Sequence, residues 1–238
     1  MKLDQLINNV QAISITGIPE LKEISNITNN SAEINYESIF VAIKGFKTDG
    51  RRYISDAISN GAQAIVMEQD SETPDALFTQ NDVVKIVVNN SRRIFAELSC
   101  TLYGNPSREL KLIGITGSNG KTTTAFYVKS ILEAAGNKTG LLGTISNYVG
   151  KEKIESTLTT PESNKINQYM REMIDAGFTH CVMEVSSHAL KLDRVHGLDF
   201  DYAIFTNITS DHLDFHSDFN NYLESKKFYL IQSKQVAK

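Results

Sequence analysis

The sequence predicts an α/β protein: a small N-terminal α/β domain, then a second domain built on a mostly parallel sheet. Three observations carry that expectation. Apolar runs of strand length alternate with segments of helical spacing along most of the 238 residues. One run, Leu110 to Ile115, feeds a glycine-rich loop that opens a helix. Gly104-Asn105-Pro106-Ser107 reads as a linker, which divides the chain into residues 1–108 and 109–238.

In the first part, Leu3, Leu6, Ile7 and Val10 are helically spaced, and Ser38 to Ile43 is a strand running into the Lys44-Gly45 turn. Tyr53, Ile54, Ala57 and Ile58 form a helix face ending at Gly61. Ala64–Met67 and Val83–Val88 read as buried strands, and 94–103 as a helix. The polar features here are Ser31 and the loop Phe46-Lys47-Thr48-Asp49-Gly50-Arg51-Arg52, which by composition alone is a solvated surface.

In the second part, a helix is expected over 125–135, where Phe126, Val128, Ile131 and Leu132 share a face that stops at Gly136. A strand over 139–145 and a polar, hairpin-like excursion over 147–156 follow. Thr160 is then expected to cap a helix with Pro161 in its first turn and Glu162 near its positive end, the helix running from Ile166 to Ala176. Cys181 to Val185 and Tyr202 to Thr206 are further strands, and 218–232 a last helix.

Composition narrows the function classes. With 41% hydrophobic and 22% charged residues the chain is globular. A net charge of −4 argues against nucleic acid as a partner. No apolar run approaches the ~20 residues of a membrane span, and Met1 to Thr16 lacks the apolar core of a signal peptide. Cys100 and Cys181 are too few and too far apart for a metal quartet or a disulfide framework, and read as small core residues. A soluble cytoplasmic protein is expected.

The chemistry concentrates at Thr116-Gly117-Ser118-Asn119-Gly120-Lys121-Thr122. Glycines let backbone N–H groups close on phosphates, and the helix start adds positive potential. In such a loop the lysine reaches the β- and γ-phosphates and the following threonine hydroxyl binds Mg²⁺. The standard spacing needs a glycine at 115, where this chain has Ile. Two further signals follow strands. Glu184 ends an apolar strand, where a carboxylate is costly unless paired or bound to a metal, and ligands sit at such strand ends. Asp211, His212, Asp214 and His216 cluster just past the strand at 202–206, a spacing that suits metal or phosphate binding.

Together and in this order, these motifs resemble the Mur ligases of peptidoglycan synthesis. Residues 116–122 are similar to that family's variant of the phosphate loop, with Ile at 115. The match is strongest to the MurE type, the UDP-N-acetylmuramoyl-tripeptide synthetases. It rests on Leu158-Thr159-Thr160-Pro161-Glu162, on Met183 to Leu190 with Arg194, and on Phe205-Thr206-Asn207 leading to Asp211-His212-Leu213-Asp214-Phe215-His216. Phe40-Val41-Ala42, Gly45, Asp49-Gly50-Arg51 and Asn60-Gly61-Ala62 extend it to the N-terminal part.

The resemblance implies an ATP- and Mg²⁺-dependent ligase that adds meso-diaminopimelate, L-lysine or another amine to UDP-MurNAc-L-Ala-D-Glu through an acyl phosphate. It implies ATP binding by Thr116, Gly117, Ser118, Asn119, Gly120, Lys121 and Thr122, and one Mg²⁺ on Thr122 and Glu184. His212 serves a second Mg²⁺, with Lys226 as a carbamate. Lys121, His212 and Lys226 are thereby the catalytic set. Without modification, Lys226 or Lys227 is a solvated helix residue. Ser31, Phe46, Lys47 and Thr48 fall to the uridine diphosphate, and Thr159, Thr160, Ser186 and Arg194 to the sugar and peptide. Where the family usually has Asp-Ser-Arg, this chain has Asn30-Ser31-Ala32. The resemblance also implies a monomer and a C-terminal, amino-acid-binding domain beyond Lys238, without which residues 1–238 are not expected to complete turnover. Two alternatives remain open: another ligase of the superfamily, such as a folylpolyglutamate synthase, and a nucleotide-binding fragment without turnover.

Overall fold

Ser38–Ala42 and Val84–Val88 are buried at every residue, as expected of parallel strands covered on both faces. The computed structural model describes residues 1–45, 48–69, 73–208 and 235–237. The chain divides into two units, Met1–Leu102 and Tyr103–Lys238.

The first unit runs α1 (Leu3–Ile7), β1 (Ala12–Thr16), β2 (Asn26–Thr28), β3 (Ser38–Ala42), α2 (Ile54–Ser59), β4 (Ala62–Glu68), α3 (Asp75–Gln80), β5 (Val84–Val88) and α4 (Ser91–Leu102). Its sheet has the order β1-β5-β4-β3-β2. Neighbours from β2 to β5 pair in parallel, and β1 is an antiparallel edge on β5. Phe40, Ala42, Ile65 and Met67 pack with Ile54 and Ala57 of α2 and Phe78 of α3, and α4 packs against β2, β3, β4 and α1. Neither β1 nor β2 was expected. β1 buries none of its residues fully and β2 is three residues long, so neither carries an apolar run.

The second unit runs β6 (Lys111–Thr116), α5 (Lys121–Ala134), β7 (Thr139–Leu142), β8 (Ser146–Val149), β9 (Glu152–Glu155), α6 (Ser163–Asp175), β10 (His180–Glu184), α7 (Ser187–Lys191), β11 (Tyr202–Phe205) and β12 (Gln235–Ala237). The sheet order is β12-β11-β6-β10-β7-β8-β9. The first five strands in that order pair in parallel, and β8 and β9 form an antiparallel hairpin at one edge. Successive strand residues alternate faces. Ile113, Ile115 and Val182 therefore pack with Ala125 of α5, while Leu112, Cys181 and Met183 pack with Ile166, Met170 and Met173 of α6. Among the described residues no helix is long and apolar enough to cross a membrane.

Three expectations are corrected. The helix α5 starts at Lys121, four residues before the apolar spacing becomes visible. β7 ends at Leu142 instead of Ile145, because the next two amides leave the ladder for side-chain acceptors, Gly143 N–H on Asn147 and Thr144 N–H on Glu184. Thr160 does not cap α6: the helix begins at Ser163 with Glu162 in the cap position and no side-chain cap bond. The expected helix over 218–232 lies outside the described residues.

Candidate active site

Face alternation along β10 explains where Glu184 points. Val182 faces α5, so Glu184, two residues on, faces the same way, towards the first turn of α5. Register does the rest. Glu184 pairs with Ile115 and Phe205 with Thr116, so the parallel strands end level with one another. The C-terminal ends of β6, β10, β7 and β11 thus converge, the usual ligand position in such sheets.

The Glu184 side chain lies in a fully buried residue (0% exposed). Its Oε2 accepts from the Thr122 hydroxyl at 2.8 Å and the Thr144 hydroxyl at 3.1 Å, and its Oε1 accepts from the Thr144 N–H at 2.9 Å. These donors meet the cost of burying the group. A Cβ at position 143 would collide with Oε1, so a side chain there would push the carboxylate from this position. Carboxylate and hydroxyl oxygens are hard donors of the kind Mg²⁺ prefers, and the Glu184–Thr122 pair fits that ion. Among the described residues no group of three or more His, Cys, Asp or Glu could hold a metal. The remaining ligands of such an ion would come from phosphate oxygens and water, as is usual for Mg²⁺.

Above this carboxylate the phosphate loop turns through Gly117 and Gly120, at φ of 152° and 82°. Residue 117 has no room for a side chain. A Cβ there would run into the Thr206 hydroxyl and come within 3.1 Å of the Asn207 backbone. The loop is held from that side. Ser118 N–H donates to the Asn207 carbonyl (3.0 Å) and Asn119 N–H to Asn207 Oδ1 (3.0 Å). The Asn119 carbonyl in turn accepts from Thr206 Oγ1 (2.7 Å) and Asn207 Nδ2 (3.1 Å). Lys121 Nζ folds back over the loop onto the carbonyls of Gly117 (2.8 Å) and Ser118 (2.9 Å). Thr116 is fully buried at the end of β6, with its carbonyl accepting from Thr206 N–H.

A second tier of side chains joins the 157–162 loop to the start of α7. The buried Thr160 donates its hydroxyl to the Glu184 carbonyl (2.9 Å) and accepts from Ser186 N–H (3.0 Å). Ser186 caps α7 by accepting from Ala189 N–H (3.1 Å). Arg194 donates to the Thr160 carbonyl (3.1 Å) and pairs with Glu162 at 2.8 Å. Glu162, read from sequence as a helix-dipole residue, is therefore an anchor for Arg194. Thr159 reaches the carboxylate through Thr144, their hydroxyls 3.2 Å apart.

Of the expected site residues, the structure brings together Thr116 to Thr122, Thr159, Thr160, Glu184, Ser186 and Arg194 in the second unit. In the first unit, Ser31 opens a short 3-10 turn after β2, where its carbonyl accepts from Asn60. Thr48, exposed, lies in the loop after β3, its carbonyl accepting from Gly45 N–H. Phe46, Lys47, His212 and Lys226 lie outside the described residues. Sequence reasoning passed over Thr144 and the clamping role of Thr206 and Asn207. The available signal was positional, since each directly follows a parallel strand or one residue beyond it. Burial pushes the Cys181 thiol up to about 12, which leaves it protonated and inert. At the far end of the same strand, burial and then Lys111 hold His180 below its ordinary value, against a smaller opposing pull from Asp201.

The family profile described as Mur ligase middle domain matches residues 115–236, and the one described as Mur ligase family, catalytic domain, matches residues 23–103. A UDP-N-acetylmuramoyl-L-alanyl-D-glutamate–2,6-diaminopimelate ligase of Clostridium perfringens is 46% identical over 95% of this chain and 45% of its own length. The enzyme of the same name in Clostridium botulinum is 52% identical over 86% of this chain and 42% of its own. Among solved structures, one of a ligase of that name superposes with a TM-score of 0.81 at 20% identity, covering 99% of this chain and 46% of the other. A MurF ligase from Thermotoga maritima in complex with ADP superposes with a TM-score of 0.55 at 24% identity, over 88% of this chain and 43% of its own. At those identities the superpositions show the fold. The chain spans less than half the length of each of these relatives.

Proposed function

We propose, from the premise that the chain belongs to the Mur ligase family, that it carries the UDP-substrate and ATP-binding parts of a ligase joining a diamino acid to UDP-MurNAc-L-Ala-D-Glu. The observation that carries this reading is the Thr122–Glu184 contact, 2.8 Å, at the foot of the phosphate loop. A carboxylate and a hydroxyl side by side there support a role for the pair in holding the metal of a bound nucleotide.

In the proposed reaction the D-glutamyl carboxylate attacks the γ-phosphorus of ATP. The bond to the bridging oxygen breaks, ADP leaves and an acyl phosphate remains. The amine of the incoming diaminopimelate or L-lysine attacks the acyl carbon, expels phosphate and gives up a proton. Two anions must meet in the first step, so the site has to supply positive charge. Mg²⁺, when bound, neutralises phosphate charge. Lys121 exchanges the carbonyls of Gly117 and Ser118 for phosphate oxygens. The α5 start adds the positive end of a 14-residue helix. Arg194, already fixed by Glu162 and Thr160, is assigned with Thr159 and Ser186 to the sugar and peptide of the substrate. Ser31, Phe46, Lys47 and Thr48 are assigned to the uridine diphosphate. His212 and the carbamate of Lys226 are assigned to a second Mg²⁺. The proposed setting is the cytoplasm and the proposed state a monomer.

Calorimetric titration with UDP-MurNAc-L-Ala-D-Glu, against UDP-MurNAc-L-Ala as control, tests the substrate. Selective binding of the dipeptide form is expected, together with binding of ATP. Binding of ATP with neither muramoyl compound would reduce the chain to a nucleotide-binding fragment.

A further inference from the structure

We propose that Thr144 is a positioning residue that ties the 157–162 loop to the Glu184 carboxylate, and so sets how tightly a divalent cation is held beside a bound nucleotide. The inference rests on the reading of Glu184 and Thr122 as a metal pair.

A carboxylate only accepts hydrogen bonds, and three donors reach that of Glu184. Two of them belong to Thr144, the N–H on Oε1 and the hydroxyl on Oε2. One residue thus holds both carboxylate oxygens, which fixes the plane of the carboxylate as a single bond could not. The third donor is Thr122, the hydroxyl that would share the metal. A hydroxyl has one proton. The Thr144 proton is committed to the carboxylate, so the bond between Thr144 and Thr159, 3.2 Å, runs with Thr159 as donor. A directed chain results: Thr159 hydroxyl to Thr144 hydroxyl to Glu184 Oε2. Thr159 belongs to the loop whose next residue, Thr160, holds the Glu184 carbonyl. The loop therefore grips Glu184 at backbone and side chain, and Thr144 relays the second grip.

Thr144 itself is an exposed residue, while Glu184 is fully buried. Its side chain is not needed to fill the core. Gly143 completes the cradle, since any side chain there would displace Oε1. Groups that orient a metal ligand without touching the metal typically change metal affinity by about 10- to 100-fold when removed.

The test is calorimetric titration of the whole chain with ADP, with and without Mg²⁺, for the native protein, Thr144→Val and Thr144→Ser. The native protein is expected to bind ADP more tightly with Mg²⁺. Thr144→Val, which keeps shape and backbone N–H, is expected to weaken that Mg²⁺ effect about tenfold while leaving metal-free ADP binding unchanged. Thr144→Ser restores the effect, which a role in shape alone would not do. A Mg²⁺ effect of native size in Thr144→Val overturns the proposal and leaves the metal reading of Glu184 standing. Loss of ADP binding with and without Mg²⁺ in both variants also overturns it, because Thr144 would then support the loop as a whole. No Mg²⁺ effect in the native protein removes the metal reading and this proposal with it.

Discussion

Replacing Thr160 by valine and by aspartate separates two accounts of one residue. As a helix cap, Thr160 would accept a backbone N–H, and aspartate would serve as well as threonine. In the structure its hydroxyl sits in a fully buried residue and does two things at once: it donates to the Glu184 carbonyl at 2.9 Å and accepts from Ser186 N–H at 3.0 Å. Valine keeps the shape and leaves both groups without this partner. Each unsatisfied buried group costs about 1–3 kcal/mol, and since the two are neighbours the sum is about 2–4 kcal/mol. With a urea slope of about 2 kcal/mol per molar, the midpoint of the transition involving this unit falls by about 1–2 M. Aspartate can accept from Ser186 but has no proton for the carbonyl, and it brings an uncompensated charge into the interior, at about 3–5 kcal/mol. Urea unfolding, with hydrogen exchange at the Ser186 amide as the local reporter, reads both variants. The order expected is native, then Thr160→Val, then Thr160→Asp, with lost protection at Ser186 in the valine variant. An aspartate variant as stable as the native protein would refute the reasoning and return Thr160 to capping.

The phosphate loop and the thiols give two further tests. Gly117→Ala forces a methyl group against Thr206 and Asn207 at a φ of 152°. It is expected to break the bonds from Ser118 and Asn119 to Asn207, to cost about 2–3 kcal/mol in the thermal melt, and to weaken ATP binding. An alanine variant with native ATP affinity would show that this clamp does not shape the loop. Cys100 and Cys181 are both buried, and the Cys181 thiol is pushed up to about 12. Neither is expected to react with an aromatic disulfide reagent at pH 8 until denaturant is added, when both do. Reaction of either thiol in the native protein would contradict the core packing around β10 or α4.

Much of the architecture was legible because it is written in local periods. The runs at 38–43, 64–67, 83–88 and 110–115 became β3, β4, β5 and β6, and the helix face at Ile54, Ala57 and Ile58 became α2. The polar excursion at 147–156 became the β8–β9 hairpin. Strands and helix starts that bury little, such as β1 and the first turn of α5, left no such trace. Thr160 was misread for a related reason. Thr-Pro-Glu before a helical segment is sound capping chemistry locally, and only a strand 24 residues away offers its hydroxyl a carbonyl instead.

What the sequence determined by itself was the kind of chemistry and its order along the chain: a phosphate loop opening a helix, an acid at the end of an apolar strand, and a Thr-Asn pair after the next. Alternation along β10 even dictated which face the acid takes. What only the tertiary structure decided was company. The strand order puts β10 on one side of β6 and β11 on the other. Glu184 thereby meets Thr122 across 62 positions, and Asn207 meets Asn119 across 88. β7, next to β10, ends where the amide and hydroxyl of Thr144 can hold the carboxylate. Spacing in a sequence records the period of each element, because side chains repeat with the backbone. It does not record which strands pair or in what register, and those pairings bring the donors to Glu184.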